Sequence, residues 1–213
     1  RRQAATALGQ IGDKRAVPAL LKASAINNDR FEEHAIIYAL IKLNDAGLLQ
    51  AALNNPSANL KRTVLIALDQ IGGTALKKED VSPFLTSNTP ELQKIGIWVA
   101  SHHPEWSDIV IDFLKGRLNV AEIAGDDITA IRDLMSTFSN DKQLQTFLAE
   151  QLGSNSASDS KKIFLMDVIA HASVKEIPEV WVQTLAKLLN SGSTEIKSQV
   201  LGLIESRRIK ALN

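Results

Sequence analysis

Apolar residues along this chain recur at the spacing of one helix face, and the pattern itself repeats. The string Ala-Leu-Gly-Gln-Ile-Gly-Asp at 7–13 returns in altered form at 39–45 and again at 67–73, so its copies follow one another at nearly even intervals. Each interval has room for two helices, and neither can bury its apolar face alone. The pattern predicts an all-α fold, an α-solenoid of antiparallel helix pairs in about six to seven units.

The turn signals predict one solenoid domain over residues 1–213. We place its units roughly at 1–28, 29–56, 57–88, 89–125, 126–156, 157–192 and 193–213. Capping preferences predict that Asn140 caps the helix after it, and that Ser82-Pro83 opens the second helix of its unit. Periodicity is weakest over 116–127. Because the chain opens directly in a helical pattern without a Met, we expect it to be a fragment of a longer chain.

Charge and composition narrow the classes of partner. Lys and Arg number 24, as do Asp and Glu, so the formal net charge is zero. Nucleic-acid-binding proteins normally carry a basic excess, so no nucleic-acid partner is predicted. The longest apolar run, Ala35 to Ile41, is far shorter than a bilayer span, so we predict no membrane insertion by this segment. The absence of Cys excludes disulfides and thiolate chemistry, and it leaves the compartment open.

The residues that most invite a chemical role have simpler interpretations. His102 and His103 lie close to Glu105, but neighbouring helix positions point about 100° apart, so we interpret the pair as turn residues. His34 is assigned to the surface, and the pair Glu32-Glu33 to a helix start, where the helix dipole stabilises negative charge. The sequence contains no Gly-x-Ser-x-Gly elbow and no phosphate-binding Gly-rich loop. We therefore predict no enzyme, no catalytic residue, no metal and no cofactor.

Three tryptophans are the candidates for partner contacts, because aromatic anchors dominate protein interfaces. Trp106 and Trp181 fall on the apolar stripes of their own helices, which favours packing inside the protein. The sequence pattern does not assign Trp98 to packing inside the protein.

The segments Ala4-Ala5-Thr6-Ala7-Leu8-Gly9-Gln10-Ile11-Gly12-Asp13 and Ala16-Val17-Pro18-Ala19-Leu20-Leu21 resemble the HEAT repeat of the phycobilisome-lyase-like type. Weaker copies cover units two to four, whereas the fifth and sixth units lack the Leu-Gly-x-Ile-Gly-Asp turn. The resemblance implies a helical scaffold that binds other proteins.

A narrower resemblance concerns the HEAT block of large bacterial haem-binding proteins that also carry a membrane-bound-dehydrogenase-like propeller and a cytochrome c-type domain. It is carried by the segments 29–40, 66–71 and 98–106. That resemblance implies a spacer between domains and a periplasmic or exported location; without it we expect a cytoplasmic one. The haem-attachment motif needs Cys, so no redox centre is transferred to these residues.

We therefore predict a non-catalytic protein-interaction scaffold or interdomain spacer, whose partner is a protein or a neighbouring domain of the same chain. The HEAT resemblance implies that binding uses the second helices and the turns leading to them. Polar positions off the apolar stripes there are Glu105, Asp108, Asp112, Gln183 and Lys187. Two alternatives stay open: a HEAT-like DNA glycosylase, which the zero net charge disfavours, and a bilin lyase-related protein.

Overall fold

The computed structural model describes residues 1–26, 29–118 and 125–212, except for the side chains of residues 125–127 and 130. Its contacts group into two compact units, unit 1 over Arg1–His102 and unit 2 over His103–Asn213. Unit 1 contains α1 (Arg2–Ile11), α2 (Val17–Ser24), α3 (Arg30–Leu43), α4 (Ala46–Ala52), α5 (Ala58–Ile71), α6 (Lys78–Leu85) and α7 (Pro90–Ser101). Unit 2 contains α8 (Ser107–Leu118), α9 (Gly125–Thr137), α10 (Lys142–Gly153), α11 (Asp159–His171), α12 (Glu179–Ser191) and α13 (Thr194–Arg207).

Three short 3₁₀ segments, Lys14–Ala16, Pro104–Trp106 and Lys210–Leu212, complete the described secondary structure, and no strand occurs in the described ranges. The predicted all-α fold of HEAT-like helix pairs is confirmed. Residues 116–127, where the periodicity is weak, lie partly outside the described ranges, and Gly116 continues α8.

Unit 1 is built from two layers of helices. The first helices α1, α3, α5 and α7 pack side by side in chain order, and the second helices α2 and α4 pack on each other. Each second helix also packs on the first helix that follows it, as α4 does on α5 and α6 does on α7. Each helix pair thus covers the apolar side of its neighbour, as a stacked repeat requires.

Unit 2 shows the same arrangement within itself. The first helices α9, α11 and α13 form one row, and the second helices α8, α10 and α12 form another. Contacts of α10 with α11 and of α12 with α13 join the rows. Trp106 and Trp181 are buried here, which confirms their predicted packing role.

Turn residues end and begin helices for local reasons. Gly12 has the left-handed conformation, with φ of 76°, and closes α1 by donating its N–H to the Leu8 carbonyl. Asp13 then accepts the backbone N–H of Arg15, and that short turn leads into α2. The expectation for this motif holds because Gly tolerates positive φ and an Asp side chain satisfies free N–H groups.

Two predicted helix starts were wrong. The cap of α10 is Asp141, whose carboxylate accepts the N–H groups of Gln143 and Leu144, whereas Asn140 donates its side-chain N–H to the Ser173 carbonyl. The helix α6 begins at Lys78, because the Asp80 carboxylate accepts the Lys77 N–H. Pro83 therefore lies inside α6 rather than at its start.

Close helix contacts in unit 1 depend on glycine. A Cβ at Gly9 of α1 would lie 2.8 Å from the Ala39 Cα of α3, and one at Gly96 would lie 2.8 Å from the Phe84 Cβ. Since real side chains do not approach a backbone so closely, these glycines allow α1 to pack on α3 and α7 to pack on α6.

Candidate protein-interaction surfaces

The second-helix face of unit 2 is defined here by the five residues selected from the sequence. All five are exposed. Glu105, Asp108 and Asp112 lie on the short Pro104–Trp106 segment and on α8, whereas Gln183 and Lys187 lie on α12. Because α10 packs between α8 and α12, the structure separates the five into an acidic group and a mixed pair.

Short-range bonds hold the acidic group. The Nδ1 atom of His103 lies 2.9 Å from the Glu105 Oε1, and the His103 ring stacks on Trp106 with centroids 3.7 Å apart. The backbone N–H of Glu105 itself and, to a lesser degree, His103 lower the pKa of the Glu105 carboxyl. An exposed carboxylate therefore stays charged at the edge of this face.

Two further candidates, Asp112 and Gln183, bond within their own helices. Lys115 donates to Asp112 at 3.2 Å, and Gln183 donates to Glu179 at 3.1 Å. Such exposed pairs contribute only tenths of a kcal/mol, about 0.2–0.5 each, so they orient side chains without locking them. The second-helix face therefore offers adjustable polar contacts on two helices.

Sequence reasoning missed a second surface, which lies on the first helices of unit 1. Positions one repeat period apart fall at the same place on α1, α3, α5 and α7. One such set, which we call the cationic row, consists of Arg2, His34, Arg62 and Lys94. One turn further along, the middle row consists of Thr6, Tyr38, Ile66 and Trp98. The repeat period carried the signal, since His34 stands where Arg2 and Arg62 stand in the aligned units, but the sequence interpretation took His34 as a surface residue without a binding role.

The two rows meet in a groove between α1 and α3. This groove, of about 670 Å³, is lined by Arg2 and His34 of the cationic row and by Thr6 and Tyr38 of the middle row, together with Phe31 and others. The Arg2 guanidinium lies 5.4 Å from the centre of the Phe31 ring, which is 66% exposed. A cation is thus held over an open aromatic ring at the mouth of a groove.

At the other end of unit 1, α7 presents Trp98. Its ring is 41% exposed and meets the His102 ring edge-on, with centroids 4.2 Å apart. The His102 Nδ1 atom lies 3.1 Å from the Asp69 Oδ2 of α5, and the Asp69 side chain is buried. A buried carboxylate therefore holds the histidine, and the histidine positions the exposed tryptophan.

Charge differs between the units although the whole chain is neutral. Unit 1 has twelve Lys and Arg against nine Asp and Glu, whereas unit 2 has twelve against fifteen. The two candidate surfaces follow this division, because the cationic row lies in unit 1 and the acidic group of the second-helix face lies in unit 2. The chain is neutral as a whole, but it contains one candidate surface with a row of basic residues and another with a group of acidic residues.

A buried lysine in unit 2 has a structural explanation. The Lys161 ammonium donates to the Leu118 carbonyl at the end of α8 and, at 2.9 Å, to the Gln151 Oε1. Burial lowers the pKa of Lys161. Because the Lys161 ammonium bonds acceptors on two neighbouring helices, we assign Lys161 to holding α8 against α10 and α11.

Across residues 1–26, 29–118 and 125–212, no three His, Asp or Glu side chains come together as a metal ligand set. In the same ranges, no helix combines the length and the hydrophobicity that a bilayer crossing requires.

Comparison with known proteins shows which repeat family the chain resembles. Residues 1–25 match the PBS lyase HEAT-like repeat, a stretch that contains α1, its turn and α2. The first helix pair of the chain is therefore similar to that repeat, and the pairs that follow it have the same HEAT-like architecture. Over 149 residues the chain is 30% identical to the phycocyanobilin lyase subunit alpha of Nostoc sp. (strain PCC 7120 / SAG 25.82 / UTEX 2576). The aligned region covers 62% of this chain and 54% of that relative, so the HEAT-like chain spans about half the length of the curated relative it matches.

Proposed function

We propose that this HEAT-like chain is a non-catalytic scaffold that binds a protein partner through the second-helix face of unit 2. The observation that supports the proposal is the exposure of polar side chains on α8 and α12, which flank α10 in one layer of helices. A partner lying across three neighbouring helices would contact both groups. HEAT-like repeats commonly serve such interactions, and repeat stacks offer extended binding surfaces.

Site-specific photocrosslinking tests the scaffold function. A photoreactive benzoylphenylalanine is placed at Asp112 on α8 or at Gln183 on α12, in the full-length protein expressed in its own host. The matched control carries the same group at Ser198, an exposed position on α13. We expect the same partner to be crosslinked from Asp112 and Gln183 and not from Ser198, and the purified partner to reproduce both crosslinks.

The pattern of crosslinks separates a scaffold from a spacer. Crosslinks to a different protein support the scaffold, whereas crosslinks only to other domains of the same chain support the interdomain spacer. Equal crosslinking from the Ser198 control, or no crosslink from the two test positions, would contradict the use of this face. A charge-reversed Asp108→Lys, Asp112→Lys variant should weaken the crosslink from Gln183 about tenfold if the contact is continuous across the face.

A second candidate is a role related to a bilin lyase, and the curated relative is the observation that favours it. That relative is named as a subunit of a phycocyanobilin lyase. If this chain shares that chemistry, the purified protein alone or with a second subunit should bind phycocyanobilin and shift its absorption spectrum. A spectrum that stays unchanged at micromolar protein would leave the scaffold as the better proposal.

A further inference from the structure

We propose that the first-helix face of unit 1 binds an extended acidic segment of a partner protein, which presents a carboxylate at about every third residue. This inference rests on the proposed scaffold function and assigns it a second surface and a class of partner. The face is defined by the cationic row and the middle row together.

The spacing of the cationic row sets the spacing of the carboxylates. Packed helices lie about 8–10 Å apart, and an extended chain in the polyproline II conformation advances about 3.1 Å per residue with three residues per turn, so side chains three residues apart point the same way and span one helix interval. Because the row supplies one cationic position on each of α1, α3, α5 and α7, such a segment of about ten residues crosses the whole face. A carboxylate at positions 1, 4, 7 and 10 of that segment would meet one position of the row each time.

The ends of the row are the positions best prepared for a ligand. Arg2 is exposed and held over Phe31, and Lys94 is exposed with no carboxylate within ion-pair distance among the described residues. Arg62 contributes less because it is already paired with Glu33. We therefore expect Arg2 and Lys94 to carry most of the attraction.

The middle row supplies contacts for the residues between the carboxylates. Tyr38 is 43% exposed, and Lys42 lies 5.6 Å from the centre of its ring. Trp98 is exposed and positioned by His102. Exposed aromatic rings next to cations bury apolar area while the charges pair, which is the composition that protein interfaces favour.

An acidic protein segment suits this face better than nucleic acid does. Duplex DNA carries about one charge per 1.7 Å, whereas the cationic row offers about one per 8–10 Å. The exposed Glu91 at the start of α7 and the Glu33 carboxylate beside Arg62 further reduce the net positive charge of this side. A dense run of phosphates would therefore meet too few cations.

Peptide binding tests the proposal. The probe is a fluorescein-labelled twelve-residue Gly/Ser peptide with Asp at positions 1, 4, 7 and 10, and the control peptide has the same four Asp in one block. Fluorescence anisotropy with the full chain should show tighter binding of the spaced peptide, by about fivefold or more. An Arg2→Gln, Lys94→Gln variant should lose at least tenfold in affinity.

The matched control variant is Lys142→Gln, Lys175→Gln, which removes two exposed cations from unit 2 and should leave the affinity unchanged. Equal binding of the two peptides, equal loss in both variants, or no binding of the spaced peptide would overturn the proposal. A duplex oligonucleotide that binds more tightly than the spaced peptide would also overturn it and would assign the face to nucleic acid.

Failure here and failure of the scaffold function have different signatures. If the spaced peptide does not bind while Asp112 and Gln183 still crosslink a common partner, only the acidic-segment proposal fails. If the peptide binds but those crosslinks are absent, the second-helix face of unit 2 is wrong and the first-helix face of unit 1 remains.

Discussion

Unit 1 and unit 2 are built from the same helix pairs, yet they use the repeat differently. In unit 1 the period is kept over four first helices, so outward positions fall into rows, and basic side chains recur along one of these rows. In unit 2 the period fades, and burial depends on individual solutions such as Lys161 under the end of α8. A regular repeat period therefore produces a regular surface, whereas helix pairs with an irregular period still form a core.

The tryptophans show the same contrast. Trp98 of unit 1 lies on the surface, whereas Trp181 of unit 2 is fully buried and donates its Nε1–H to the Gln145 carbonyl at 2.8 Å. One ring is available to a partner, and the other joins α12 to α10. The same residue type therefore serves binding in our proposal for unit 1 and stability in unit 2.

The largest expected effect contrasts these two rings. Trp181→Ala should lower the free energy of unfolding by about 3–5 kcal/mol, because it empties a core position and leaves the Gln145 carbonyl without its donor. Trp98→Ala should cost less than about 1 kcal/mol. Urea denaturation measures both, and hydrogen exchange in α10 and α12 should rise only for Trp181→Ala. Equal costs would contradict the contrast.

Glycine substitutions should have opposite signs in the two units. Gly9→Ala in α1 should destabilise by about 1–3 kcal/mol, because the new Cβ meets the α3 backbone. Gly202→Ala in α13 meets nothing within 4 Å and should stabilise by about 0.5–1 kcal/mol through helix propensity. Thermal unfolding of both variants checks the signs. A stabilising Gly9→Ala would show that α1 and α3 pack less closely than the structure has them.

Lys161 tests how unit 2 holds α8. Lys161→Met should cost about 1–3 kcal/mol, because the Leu118 carbonyl and the Gln151 side chain lose their shared donor. The neighbouring Lys162→Met is the control and should stay within about 0.5 kcal/mol. Urea denaturation at neutral pH distinguishes them, and equal effects would contradict the role of Lys161.

The same residue predicts an alkaline dependence. Burial lowers the pKa of Lys161 in the folded protein below 10.5, so between these two values the unfolded chain binds more protons. The wild-type free energy of unfolding should therefore rise, relative to Lys161→Met, as the pH rises through that range. A difference between the two proteins that falls or stays constant with rising pH would contradict the burial of the ammonium.

The smallest expected effect concerns Glu105. Its carboxyl should titrate below its ordinary pKa of 4.5, and its small contribution to stability should be present above pH 4.5 and be lost as the pH falls through the folded pKa. NMR titration of the carboxyl carbon measures this. His103→Ala should raise the pKa only part of the way to 4.5, because the backbone N–H of Glu105 is the larger cause. A complete return to 4.5 would show that the histidine dominates.

The helix pairs and their core were largely predictable, and the surfaces were not. Periodicity and capping residues predicted where α1 and its turn end, and Gly12 and Asp13 behave as expected. The predictions failed for Asn140 and Pro83, where an adjacent or earlier acidic residue supplies the cap. A local preference selects candidate residues, but which side chain reaches the free N–H groups depends on the path of the chain.

The candidate residues show the same limit. Trp106 and Trp181 lie on the apolar stripes of their helices, and this position correctly predicted that both are buried, because burial follows the helical period. The role of Trp98 depends on its neighbours, since His102 follows the end of α7 and Asp69 lies on α5. Likewise, the sequence predicted that the five polar candidates belong to one exposed layer of helices. In the structure α10 lies between α8 and α12 and separates the candidates into two groups.

The sequence by itself determined that amphipathic helices come in pairs at a regular period, because apolar spacing along one helix is a local property. Only the tertiary structure decided which outward side chains become neighbours, since those positions lie a full repeat apart in the sequence and meet through the packing of one helix on the next. The cationic row, the groove beside Phe31 and the donor under Leu118 all arise from that packing.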